Sequence, residues 1–357
     1  MRVLQLIDTL QVGGAERMAV NFANALRAQT GFAALVTSRN SGPLESQLVK
    51  DVPFVCLYKK YAFDPLAAFK LRRFCKQHQI DWIHAHGTSY FTAFLVKLIY
   101  PKLKIVWHEH AGARSSEQTL NNIFLWICVR FFHGIIVVNQ ELESWCKAVL
   151  HFEKVIYLPN FTSVNPNEQP TTYLHGTASK RIVYLANLRH PKNHGLLLDV
   201  ASKLKETAPD WTFHFIGQDK NDSYSETLKA QIQQKKLQAS VYIYGLKEDI
   251  GHILNQASIA VIASSSEGLP VALLEYALYK KAVVSTDVGE IPKMIIHGAN
   301  GYVVASGDSD AFLQAIKQLI VNDSLIAKFG LALHENLAEN HSQDSVLQKY
   351  TSWLNCL

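Results

Sequence analysis

Sulphur chemistry is the first thing this chain lacks. Its five cysteines (Cys56, Cys75, Cys128, Cys146 and Cys356) are odd in number, scattered, and nowhere spaced as C-x-x-C. That excludes a disulfide framework or a thiolate zinc site and fits free thiols in a reducing cytoplasm. Long apolar runs are missing too. The stretch 118–138 is apolar-rich, but Arg130 and His133 interrupt it, so no transmembrane span is expected. The opening MRVLQLIDTL enters a strand pattern directly, without a cleavage site, so no secretory leader is expected. Low-complexity tracts and short-period repeats are absent, which excludes solenoids. So is G-x-G-x-x-G, and with it the dinucleotide fingerprint. No nucleic-acid module is recognisable and the net charge of +5 is modest, so nucleic acid is not an expected partner.

What remains is long enough for two domains. At 357 residues and 48% hydrophobic composition, the chain can bury two ordinary cores. Its charge is uneven. Residues 1–170 hold 18 Lys and Arg against 12 Asp and Glu, a net of +6, and the remainder holds 17 against 18, a net of −1. The basic half points to an anionic partner on that side. Within it, 59–78 mixes Lys59, Lys60, Lys70, Arg72, Arg73 and Lys76 with Phe63, Leu66, Phe69 and Phe74. That pattern reads as a basic amphipathic helix, suited to an anionic membrane surface or to packing its apolar face on a sheet.

Short β-branched runs alternate with helical patterns throughout. Strands are expected at 3–9, 32–38, 52–58, 82–86, 104–110, 134–139 and 155–160, then at 181–187, 212–218, 241–246, 259–264, 282–287 and 301–305. Such alternation predicts an α/β protein with one parallel, doubly wound sheet per half and ligands at the strands' C-terminal ends. Between the halves, the Asn-, Thr- and Pro-rich stretch 161–179 lacks periodicity. The expected division is a domain at 1–165, a linker at 166–180, a second domain at 181–340, and a terminal helical segment at 341–357.

Several residues at strand ends invite chemistry. Gly13 and Gly14 follow the first strand and open a helix, where a ligand can approach backbone N–H groups or the turn can simply pack tightly. His84 and His86 share one face of a strand end, and His108 and His110 share one face of another. Four imidazoles so placed would suit a metal-dependent hydrolase, but Glu109, the carboxylate at hand, points to the opposite face. Lys192 lies beside Asn193, an expected helix cap, and a lysine at a helix start suits a diphosphate. Glu267 and Glu275 stand eight positions apart around Gly268-Leu269-Pro270. Pro270 suits the first turn of a helix running to about Tyr279, whose N-terminus would hold polar or anionic ligands. Two carboxylates beside it call for hydroxyl groups. Asp308-Ser-Asp310 spells a metal-binding D-x-D, but it precedes the helical AFLQAIKQLI and reads as an N-cap.

The words around these residues narrow the choice. SSSEGLPVALLE, the VGEIPKMI and HGANGYVV that follow it, VGGAER (12–17), IHAHG (83–87) with WHEH (107–110), and LANLRHPKNH (185–194) occur in one order. Together they closely resemble the retaining family 4 glycosyltransferases of GT-B fold, from about residue 3 to 321. The resemblance implies two Rossmann-like domains facing across a cleft, an acceptor-side N-terminal half, and a last helix crossing back to it. It also implies a nucleotide diphosphate sugar donor, a glycan or lipid-linked acceptor, no metal or other cofactor, and a place in surface polysaccharide synthesis. The expected location is the cytoplasm, peripherally at the inner membrane face through the basic half.

Residue by residue, it gives Glu275 to the ribose hydroxyls and Glu267 to the donor sugar, with the Gly268 and Leu269 N–H groups nearby. It gives Lys192 to the departing diphosphate and His110 to the transferred sugar, and makes Gly13 and Gly14 the loop that meets the donor phosphates. Gly217 and Gly245 become close-approach points for the nucleotide, and Gly289 opens another helix toward the phosphates. This chain departs from the family's G-R-L-x-x-x-K: Ala186 replaces the glycine and Asn187 the arginine, leaving Arg189 as the candidate substitute. Two other readings share the fold. One is a nucleotide-sugar 2-epimerase, and the other is a nucleotide-sugar-binding protein without catalysis.

Overall fold

A computed structural model describes residues 1–110, 123–164 and 168–357. The chain divides into two compact units, Met1–Phe161 with Gln343–Leu357, and Thr162–Ser342. Their strands fall where the β-branched runs lie.

The first unit contains β1 (Val3–Ile7), α1 (Gly14–Thr30), β2 (Ala33–Thr37), β3 (Phe54–Cys56), α2 (Pro65–Gln77) and β4 (Trp82–His86). Then follow α3 (Tyr90–Ile99), β5 (Lys104–Glu109), α4 (Ile123–Val129), β6 (Gly134–Val137), α5 (Gln140–Leu150) and β7 (Val155–Tyr157). The sheet is parallel, in the order β3-β2-β1-β4-β5-β6-β7. Alternation along β1 shows how both faces are covered. Leu4 and Leu6 join the core that takes in Ala67 and Leu71 of α2, Ala93 and Val96 of α3, and Leu142 of α5. Val3 joins the opposite core, with Met18 and Phe22 of α1. That second face is finished from the far end of the sequence. Tyr350 and Leu354 are buried in it, and a Cβ on Gly134 would stand 2.4 Å from the Trp353 ring.

The second unit runs β8 (Arg181–Leu185), α6 (His194–Leu204), β9 (Thr212–Ile216), α7 (Ser223–Gln234), β10 (Val241–Gly245), α8 (Ile250–Asn255) and β11 (Ile259–Ile262). It continues with α9 (Val271–Leu278), β12 (Ala282–Thr286), α10 (Ile291–Met294), β13 (Tyr302–Val304), α11 (Ser309–Ile320) and α12 (Asp323–Asn340); α13 (Gln343–Cys356) returns to the first unit. The sheet order is β10-β9-β8-β11-β12-β13, again parallel, with apolar cores on both faces.

Local expectations fare unevenly. Asp308 does cap α11, its carboxylate accepting from the Asp310 and Ala311 N–H groups. Asn193 does not cap α6: its backbone is left-handed, at φ 48°, and its side chain makes no capping bond. Pro270 precedes α9 rather than occupying its first turn. The basic stretch 59–78 is helical only over Pro65–Gln77, with Asp64 as its cap. The stretch expected as a linker is irregular where described, and it is fastened to the second unit. Asp249 accepts from both N–H groups of Thr171 and Thr172, and Glu168 from those of Gly251 and His252. Residues 165–167 of that stretch lie outside the described residues.

Candidate active site

In the second unit, strand order reverses between β8 and β11. Loops leaving adjacent strands in opposite directions open a crevice at such a point, where open parallel sheets bind ligands. The two loops that emerge there carry Lys192 and Glu267. Lys192 Nζ donates to Glu267 Oε1, and Ser264 Oγ donates to the same oxygen at 2.6 Å. The two charged side chains are only 15% and 11% exposed. The loops beneath them are cross-braced. The Ser265 N–H donates to the Pro191 carbonyl at 2.9 Å, and the Tyr184 hydroxyl to the Lys192 carbonyl at 2.6 Å. Burial raises the Tyr184 pKa, so the phenol stays a donor.

A nearly buried ion pair is held by mutual compensation, since either charge alone would be stranded away from water. A ligand carrying phosphate oxygens and hydroxyls would offer both partners a replacement together: anionic oxygen for Lys192 and donors for Glu267. Glu275 is buried further along α9. The N-terminus of α9 carries no side-chain cap, so its positive end is open to polar groups.

The other candidates separate into working and supporting positions. Gly289, at φ +59°, lies so close to the Glu267 carbonyl that a Cβ would sit 2.2 Å away, and the Glu290 N–H donates to the Gly268 carbonyl at 3.0 Å. This turn therefore braces the Glu267–Gly268 loop. Asn187 accepts from the Gln218 N–H at 2.8 Å, and a Cβ on Gly217 would stand 2.1 Å from the Ala186 carbonyl. These two residues zip the ends of β8 and β9 together. Gly245 is left-handed at φ +69°, with open space where a Cβ would be. Arg189 is exposed and outside the Lys192–Glu267 pair; its carbonyl accepts from the Lys192 N–H.

The first unit reverses its strand order between β1 and β4. Gly13 is the N-cap position of α1 and Gly14 its first residue. A Cβ on Gly13 would fall 2.3 Å from the Glu16 carboxylate, which turns back onto that helix end. At the ends of β4 and β5 the histidines form one cluster. His84 Nε2 lies 3.1 Å from His108 Nδ1, and His86 Nδ1 lies 2.9 Å from His110 Nε2. Ligand atoms of His84, His86 and His108 all lie within 4.8 Å of one another, close enough to hold a metal ion. Burial holds the pKa values of all three well below the ordinary histidine range and pushes His110 down to about 3. The rings are neutral at pH 7.

Ser264, Gln5 and Tyr350 escaped sequence reasoning. The serine run before Glu267 was a usable signal, as was a glutamine inside an otherwise apolar strand. Tyr350 carried none.

Comparison with known proteins gives the family and the fold. Residues 12–166 match the family model for Glycosyltransferase Family 4, and residues 167–342 that for Glycosyl transferases group 1. EpsD of Bacillus subtilis (strain 168), a glycosyltransferase by assignment, is 32% identical over 306 residues, 78% of either chain. The chain belongs to this glycosyltransferase family. The amylovoran biosynthesis glycosyltransferase AmsD of Erwinia amylovora is 22% identical over 364 residues, covering 99% of each chain. A poly(ribitol-phosphate) alpha-N-acetylglucosaminyltransferase of Staphylococcus aureus (strain COL) is 25% identical over 224 residues, 62% of this chain and 43% of that one. Anabaena Alr3699/HepE, solved in complex with UDP and glucose, covers 100% of both chains with a TM-score of 0.84 at 17% identity. The fold of this glycosyltransferase is GT-B.

Proposed function

We propose that this glycosyltransferase is retaining and metal-independent, moving a hexose-type sugar from a nucleotide diphosphate sugar to a glycan or lipid-linked acceptor. The Lys192–Glu267–Ser264 constellation at the reversal of the second sheet carries the reading. Lys192 and the open end of α9 take up charge on the departing diphosphate, which is leaving-group stabilisation by fixed groups. Glu267 and Ser264 hold sugar hydroxyls, Glu275 the ribose, and His110 the transferred sugar. The amylovoran and poly(ribitol-phosphate) relatives favour a place in surface polysaccharide synthesis.

The acceptor side favours a peripheral location. No helix among the described residues is long and apolar enough to cross a membrane. Yet α3 lies between α2 and α4, and these helices leave Leu66, Phe69, Leu98, Phe124 and Ile127 exposed. Phe63, just before α2, is exposed as well, and so are Lys60, Lys70, Arg73 and Lys76 of the same stretch. Exposed apolar side chains interleaved with cations match an anionic bilayer surface.

One observation favours a second reading, a metal-dependent hydrolase: the close ring nitrogens of His84, His86 and His108. Against it, five of their six ring nitrogens already pair with one another or with Gln5, His110 and Tyr350, leaving His108 Nε2. A thermal-shift panel of UDP, GDP, ADP and nucleotide sugars, run with chelator present, separates the two. One diphosphate at 100 times its Kd should stabilise the protein by about 2.7 kcal/mol despite the chelator. If no nucleotide shifts the melt while chelator alone lowers it, the transferase reading falls and the histidine metal site replaces it.

A further inference from the structure

The buried face beneath α1 and α13 holds more polar groups than a core needs. Gln5, His84, His86 and His108 are all essentially inaccessible, packed around Phe22 and Tyr350. Buried polar side chains are kept in such a place when they hydrogen-bond one another. Here the bonds form two arms. In one, His110 Nε2 meets His86 Nδ1 at 2.9 Å, and His86 Nε2 meets Gln5 Oε1 at 2.8 Å. In the other, the Tyr350 hydroxyl lies 3.2 Å from His84 Nδ1, and His84 Nε2 lies 3.1 Å from His108 Nδ1. The Gln5 amide joins them: its other end faces the Tyr350 hydroxyl, though short of a hydrogen bond of normal geometry.

We propose that Gln5 and His86, steadied by Tyr350, are positioning residues that fix His110 in one tautomer, with the proton on Nε2 and a bare Nδ1. An amide oxygen only accepts, so His86 Nε2 must carry a proton. A neutral imidazole has one N–H, so His86 Nδ1 is an acceptor and His110 Nε2 must donate to it. His110 Nδ1 has no hydrogen-bond partner among the described residues and is left as a lone pair for a hydroxyl. The second arm runs in the same sense. With the Gln5 NH2 turned toward it, Tyr350 donates to His84 Nδ1 and His84 Nε2 to His108 Nδ1, which leaves the His108 Nε2–H buried without a partner. Turning the Gln5 amide over would reverse the proton on both arms and present His110 as a donor instead. The proposal rests on the reading of His110 as the group beside the transferred sugar.

The test uses Gln5→Met and Tyr350→Phe in the full chain, each alone and combined with His110→Ala, with circular dichroism confirming folding. Tyr350→Phe keeps the packing, so it serves should Gln5→Met fail to fold. In the His110 background kcat should fall roughly tenfold, the equivalent of one misdirected hydrogen bond, with the donor KM unchanged. In the His110→Ala background the same substitutions should cost nothing further, since the coupling runs through that ring. Nitrogen-15 NMR of histidine-labelled protein should show His110 as the Nε2–H tautomer in the parent and as a mixture in the variants. Losses that simply add to that of His110→Ala, or an Nδ1–H tautomer in the parent, overturn the proposal. Full transfer activity in His110→Ala would instead overturn the sugar-contact reading, while the tautomer measurement still decides the network.

Discussion

The two units carry opposite chemistry at the same place in their sheets. At the reversal of its sheet, the second unit sets a charged pair, Lys192 and Glu267, on two braced loops. The first unit sets neutral rings there, on the strand ends themselves, with their charge suppressed by burial. A charged pair on loops can exchange partners when a ligand arrives. Neutral rings on strands stay where the sheet puts them. One fold can thus keep a charged pair that is able to exchange partners apart from rings that the sheet holds still.

The comparison breaks hardest at the charged pair. Lys192→Ala should cut turnover by roughly 10²–10³, the loss seen when a fixed charge-stabilising donor is removed, measured as sugar transfer with donor in excess. Near-normal turnover in that variant would show that the second unit does not work through its charged pair.

Acidification tests the neutral side. His78, His84, His86, His108, His110 and His133 in the first unit all have depressed values, against His194 and His214 in the second. A histidine depressed in the folded state is protonated first in the unfolded state. Below the unfolded pKa of about 6.5, each group therefore lowers stability by up to ~1.4 kcal/mol per pH unit until its folded pKa is reached. Above the unfolded pKa it contributes nothing. From pH 7 to pH 5 the first unit should lose more. Of the six tryptophans, only Trp211 lies in the second unit, so fluorescence reports mainly on the first. The fluorescence melting midpoint should fall further than the circular-dichroism midpoint. Equal falls would mean that the two units share the acid sensitivity.

The smallest expected effect concerns surface. Exposed large apolar side chains crowd α2 to α4, whereas the second unit scatters Tyr173, Ile296, Val321 and Leu331 singly. Phe69→Glu should reduce co-sedimentation with vesicles containing anionic lipid several-fold, by removing apolar contact and adding a like charge. Binding unchanged by the substitution, or equal on neutral vesicles, would remove the α2 face as the contact.

Much of this was legible beforehand, and the boundary has a physical form. The strands could be read because a buried parallel strand is an uninterrupted β-branched run, as in IAVI of β11. Lys192 and Glu267 were readable as strand-end residues, but their pairing was not, since 75 positions separate them. Asn187 looked like a lost arginine until its bond to the Gln218 N–H gave it a structural task. Gly217 and Gly289 were readable as close-approach points, but the backbone carbonyls that each lies against were not. Tyr350 lies 266 positions from the histidine it touches, and no local pattern encodes that contact.

That last contact also sets a timetable. A ribosome delivers the chain from its first residue, and domains generally fold as units as they emerge. The second unit is continuous and can close as soon as Ser342 is out. The first unit begins earlier but lacks α13, so its sheet waits with the seat for Trp353 and Tyr350 uncovered until that helix has emerged. The unit that starts first is thus finished second, and a chain without this one helix would leave its histidines without their anchor.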